Sequence, residues 1–146
     1  MRFIVVVCSF LLIPSASFAY CAQARESEAF EIRALQSSMM VAALSCNQHS
    51  QYNQFIRNYK SDIASGGKDI KSYFERAYGS KYEYELNKFI TNLANRATKL
   101  SMEDDPDEYC DHTLAIFNSL NSSKVDLEEF LEQEKYATLH GVNACS

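Results

Sequence analysis

There is no tryptophan in this chain of 146 residues, and it carries only 4 glycines and 2 prolines. A collagen-like repeat, a low-complexity linker and a Gly-rich phosphate loop are excluded by that composition. Apolar residues make up 47% and charged residues 23%, a balance that disordered chains do not show. Positive charge is scarce, with 14 Lys and Arg against 19 Asp and Glu. An acidic surface repels a phosphate backbone, so no nucleic-acid partner is expected. No Gly-x-Ser-x-Gly elbow or Ser-x-x-Lys pair marks a hydroxyl as a nucleophile. There is no haem-attachment motif and no internal repeat, and no cofactor is expected.

What is present begins with a secretory signal pattern at residues 1–19. Arg2 supplies the positive start, and residues 3–13 form an apolar run containing Val5, Val6, Val7, Leu11 and Leu12. Pro14 ends the run, and Ser17 and Ala19 are the small residues a signal peptidase reads. As a helix, that run would cross only about half of a membrane's hydrocarbon core. Tyr20 in front of Cys21 argues against lipidation. Cleavage after Ala19 is expected, leaving residues 20–146 as one exported domain, periplasmic or secreted, with no membrane span. Loss of Arg2 takes the 14 basic residues to 13 against 19 acidic. Cys8 leaves with the signal, and Cys21, Cys46, Cys110 and Cys145 remain. Four cysteines in an oxidising compartment predict two disulfides.

Helical periodicity runs through the rest of the chain. Ile32, Leu35, Met39, Ala42 and Cys46 make one stripe, predicting a helix over about 27–46. Tyr52, Phe55, Ile56, Tyr59 and Ile63 predict a second, stopped at Ser65-Gly66-Gly67. Ile70, Tyr73, Phe74 and Ala77 predict a short third helix before Gly79. Tyr82, Leu86, Phe89, Ile90, Leu93, Ala97 and Leu100 predict the longest, to about 102. Pro106 is placed to open a fifth helix carrying Cys110, Leu114 and Phe117. Asp126 with Glu129 resembles a capping box for a sixth with Leu127, Phe130 and Leu131. Residues 140–146 read as a tail. The expected class is all-α, a single small bundle of five to six helices stapled by two disulfides. Cys46 and Cys110 lie in phase with apolar stripes, while Cys21 and Cys145 lie near the chain ends. Cys46–Cys110 with Cys21–Cys145 is therefore the preferred pairing among three connectivities.

Candidate sites are few. Asp111-His112 is the most chemical-looking pair, with His112 as a general base. Helical secreted phospholipases A2 need the reverse order, His then carboxylate, and a calcium loop that this chain does not contain. Cys46 and His49 are one helical turn apart, but cysteines in disulfides bind no metal, and His49, His112 and His140 are scattered. No metal is expected. Asp104, Asp105 and Asp107 belong to an acidic run around Pro106 that suits the positive end of the fifth helix. Tyr73, Tyr78, Tyr82 and Tyr84 flank Gly79, where rings with polar tips suit packing edges or contact surfaces. Asn121-Ser122-Ser123 fits a glycosylation acceptor, relevant only in a eukaryotic host.

Residues 40–46 (MVAALSC) followed by Tyr52-Asn53-Gln54-Phe55, then residues 73–79 (YFERAYG), Leu93-Ala94-Asn95 and Tyr109-Cys110, form a recurring pattern. In these strings the chain resembles a group of small exported, mainly alphaproteobacterial proteins of uncharacterised role. The resemblance implies a periplasmic, disulfide-bonded helical domain and carries over no activity. The expectation is a non-enzymatic binding or interaction protein of the bacterial periplasm or envelope with a protein partner. Its contacts are expected from Tyr78 and Tyr82 and from Asp104, Asp105 and Asp107. The alternatives are a small hydrolase of lipid or peptidoglycan using His112 with Asp111 or Asp107, and a stress chaperone or secretion accessory.

Overall fold

Ile32, Leu35, Met39 and Ala42 are buried along one long helix, α1 (Ala24–Ser45), as their spacing predicts. The computed structural model describes residues 20–122, 125–133 and 139–145. The export signal expected at residues 1–19 lies outside the described residues. After α1 come α2 (His49–Asn58), α3 (Lys60–Tyr78), a 3-10 turn (Gly79–Lys81), α4 (Tyr82–Ser101), α5 (Pro106–Ser122) and α6 (Leu127–Gln133). The class is all-α, and among the described residues the one β feature is a parallel bridge between Ala22 and Ala144. No described helix is long and apolar enough to cross a membrane.

Helix α1 lies against all five other helices, and its two halves serve two apolar clusters. Leu35, Met39 and Ala42 meet Phe55 and Tyr59, Phe117 and Leu120 of α5, and Leu131 of α6. Nearer its start, Ala29 and Phe30 meet Ile70, Tyr73 and Phe74 of α3, with Phe89 of α4 packed alongside. Phe30 is fully enclosed, its ring edge-on to Tyr73 and Phe89 at 5.0 and 5.2 Å between centroids.

The first turn of α1 is closed by Gln23 N–H donating to Glu26 Oε2 at 2.8 Å, and the buried Glu26 carboxylate also pairs with Arg76 of α3. Asp105 Oδ1 accepts from the backbone N–H of Asp107 (3.0 Å) and Glu108 (3.4 Å) at the start of α5. Asp126 does the same for Glu128 (2.9 Å) and Glu129 (3.4 Å) at α6. These are N-caps, satisfying donors that the helix itself leaves unpaired.

Both disulfides form with the preferred connectivity, Cys21–Cys145 and Cys46–Cys110. Beside the second, the buried Gln48 donates Nε2 to Cys110 O at 2.9 Å and accepts from Thr113 Oγ1 at 3.3 Å. The bridge and this amide together hold the end of α1 to the start of α5.

Two expectations are corrected. The second helix does not run on to Ser65-Gly66-Gly67. It ends at Asn58, and α3 starts at Lys60 and passes straight through both glycines. The break falls at Tyr59 because its buried hydroxyl is held from elsewhere, donating to Leu120 O (3.1 Å) and accepting from Val125 N–H (3.2 Å). Gly66 stays helical because α1 crosses there: a Cβ on it would stand 3.5 Å from Ala29 Cβ. The predicted short third helix is thus the second half of α3.

Nor do residues 140–145 form a loose tail. His140 is buried and stacked on Phe30 with centroids 5.6 Å apart, and its Nδ1 accepts from Val142 N–H at 3.0 Å. Ala22 N–H donates to Asn143 O and Cys145 N–H to Ala22 O, each at 2.8 Å. Gly141 has φ +67, a backbone conformation that side chains with a Cβ rarely adopt, so glycine is favoured where this segment turns beside Arg96 of α4.

Replacing Cys46 and Cys110 together by Ser should lower the unfolding free energy by about 4 kcal/mol, the chain-entropy value for a loop of 64 residues. Urea denaturation of the otherwise oxidised protein measures it. Tyr59→Phe strands Leu120 O and Val125 N–H and should cost about 1–3 kcal/mol in the same assay.

Candidate functional site

The crossing of α1 over α3 at Ala29 and Gly66 lies between two surface concavities of opposite character, both lined by Ala29, Ile32 and Gly66. The first, between α1, α3 and α4, is an apolar slot of about 110 Å³. Ile32, Ile63, Ile70, Leu86, Phe89 and Ile90 form most of its wall. Arg33 and Gln36 complete the α1 side, with Arg33 Nη1 donating to Gln36 Oε1 at 2.8 Å. Gly67 is also in the wall, and a Cβ there would meet nothing within 4 Å.

The second, between α1, α3 and the start of α6, measures about 320 Å³ and is acidic. Glu28, Asp62, Asp69, Asp126 and Glu128 line it beside a single cation, Arg25. Arg25 Nη2 reaches both carboxylate oxygens of Asp69 at 3.3 Å from a largely exposed position. Glu28 is raised above its ordinary carboxyl range, first by burial and then by Glu128, Asp126 and Asp69, with Arg25 opposing. Its ionised form is thus less favoured in the fold than in the open chain.

The residues singled out from sequence sit elsewhere and apart. Tyr78 is half-buried, stacked on Phe74 at 5.6 Å and edge-on to Tyr20 at 5.8 Å. It lines a third concavity of about 180 Å³ with Lys88, Arg96 and His140. Tyr82 is half-buried under Lys71 Nζ, 5.0 Å from the ring centroid, while its hydroxyl donates to Glu83. Tyr73 belongs to the core, where its hydroxyl donates to Tyr20 O, whereas Tyr84 is 68% exposed. The four tyrosines therefore do not make one patch. Asp104, Asp105 and Asp107 are exposed, with Asp105 engaged as the α5 cap. They stand at the far end of α4 from Tyr82, about 30 Å away along the helix. His112 and Asp111 are both exposed on α5. Among the described residues no group of three or more His, Cys, Asp or Glu side chains has the placement to hold a metal ion.

No protein-family model, no curated protein and no solved structure matches this chain.

Sequence reasoning passed over both concavities. Glu28 and Ile32, and likewise Asp62 and Asp69, recur at helical spacing, but so do charged residues on any solvated face. Only the packing of α6 beside α1 gathers Asp126 and Glu128 onto them. For the slot, the visible signal was a pair of adjacent glycines inside an apolar period, which read as a helix stop.

Because Glu28 is raised in the fold, its contribution to stability is fully present below the ordinary carboxyl range and is lost as pH rises through the raised value. Glu28→Gln removes the charge that is disfavoured. Its Tm should match wild type near pH 3 and exceed it by about 1–2 °C at pH 7, a small gain because the carboxylate is only partly buried and solvent screens its repulsions. Thermal melts at the two pH values measure the difference.

Proposed function

We propose that this chain is an exported, non-enzymatic binding protein of the bacterial periplasm or envelope, built as a stapled helical scaffold around a preformed ligand slot. The observation that carries the reading is the apolar slot between α1, α3 and α4. A concave, mostly apolar surface with a few polar groups at one side is the usual form of a small-ligand site. Holding it open has a cost in the free protein. Gly67 sits in the middle of a helix, where glycine is less favourable than alanine by about 1 kcal/mol, and it makes no close contact that needs the missing side chain.

Two intramolecular disulfides support an oxidising compartment, since such bridges persist outside the reducing cytosol. The apolar run over residues 3–13 supports export, as does the resemblance of residues 40–46 and 73–79 to small exported proteins. Cross-links at both ends of α1 limit how far the slot's central wall can shift, and a site held in shape loses less entropy on binding.

The test is the intact and native mass of the chain recovered from the exported fraction of its own host. The expected result is a chain lacking residues 1–19, four hydrogens lighter than its reduced form, with a non-covalent companion that leaves on mild activation. A chain that keeps Met1, stays in the cytosol and carries free thiols overturns the reading.

A further inference from the structure

We infer that the slot between α1, α3 and α4 takes a small aliphatic carboxylate, with its chain among the isoleucines and its carboxylate on Arg33; this rests on the binding-protein reading above. Arg33 is the single ionisable residue in the slot wall. That is a marked local reversal in a chain with 19 acidic residues. Among the described residues Arg33 has no carboxylate within ion-pair distance, and its one described hydrogen bond is to the neutral amide of Gln36. Its guanidinium therefore keeps donors for a bidentate contact, the geometry in which arginine holds a carboxylate best. Gln36 fixes the head of that side chain one turn along α1, so less freedom is lost when the anion arrives.

Size selects the rest of the ligand. An engineered apolar cavity of roughly 150 Å³ holds benzene, so a slot of about 110 Å³ suits a chain of about four or five carbons. Ile32, Ile63 and Ile70 on one side and Leu86, Phe89 and Ile90 on the other offer it no polar partner. A cationic head is refused by Arg33, and it has the acidic cleft across the Ala29–Gly66 contact as a competing place to go. Gly67 matters because a side chain at that position projects into open space instead of into protein.

The experiment titrates the full oxidised protein with hexanoate, 1-hexanol and hexylamine, following backbone amide shifts and heats of binding. Hexanoate should saturate with a Kd on the order of 0.1–1 mM, shifting Ile32, Gly67 and Ile90. From butanoate to hexanoate the affinity should rise about fourfold per methylene. Arg33→Gln should weaken hexanoate by about tenfold or more and leave 1-hexanol unchanged. Gly67→Leu should abolish binding of both while the Tm stays at or above wild type, since leucine is the better helix former.

If 1-hexanol binds as well as hexanoate, or Arg33→Gln leaves hexanoate undiminished, the carboxylate assignment falls and the slot still stands as a ligand site. If Gly67→Leu still binds hexanoate, the location is wrong. If none of the three probes moves the slot amides, the assignment and the ligand-slot reading fall together.

Discussion

Helix α1 is held at both ends by covalent bonds, and the arrangement of the other helices depends on that clamp. Cys21 lies just before its first turn and Cys46 just after its last. One is tied to Cys145 near the end of the chain and the other to Cys110 at the start of α5, 124 and 64 residues away. Between them more than half of the helix is buried, including Ala29, Ala34, Ser38, Ala42 and Ala43. Small side chains let neighbours approach from several directions, which is why one helix serves both apolar clusters. A domain of this size has only about 5–15 kcal/mol of net stability, so two long-loop bridges are a large share of it.

The clamp also explains the C-terminal segment. Residues 139–145 contribute little apolar surface of their own, yet His140 is stacked on Phe30 and the backbone pairs with Ala22. Joining Cys145 to Cys21 brings these partners together at high effective concentration, so weak contacts suffice to order the segment. Glycine at 141 supplies the left-handed turn, φ +67, that the segment needs beside α4.

Charge is distributed around the α1–α3 crossing in a way that composition does not reveal. On one side five carboxylates face a single exposed arginine, and burial, with the neighbouring carboxylates adding to it, raises Glu28 above its usual range. On the other, Arg33 is the single ionisable residue lining an apolar slot. The dividing contact is Ala29 against Gly66, where a Cβ at position 66 would already be in van der Waals contact with Ala29 at 3.5 Å. The adjacent glycines therefore have different roles: the first permits close approach, and the second leaves space unfilled.

Class, staples and most helix boundaries were legible from sequence because they follow from local rules. Apolar spacing of three and four specifies helices, Pro106 and Asp105 specify where α5 begins, and cysteines in phase with core stripes specify which pairs can meet. Where a local rule and a distant partner competed, sequence reading failed. Gly66 and Gly67 look like a stop, but α1 packs on the first and sustains α3. Tyr59 looks like one more core position, but Leu120 and Val125 capture its hydroxyl and turn the chain there. Helical class and disulfide pairing followed from residue order alone. The slot, the acidic cleft and the separation of Tyr78 from Asp105 were decided only by tertiary structure. Each depends on residues from three helices or on the length of one, and no local period encodes which helix faces become neighbours.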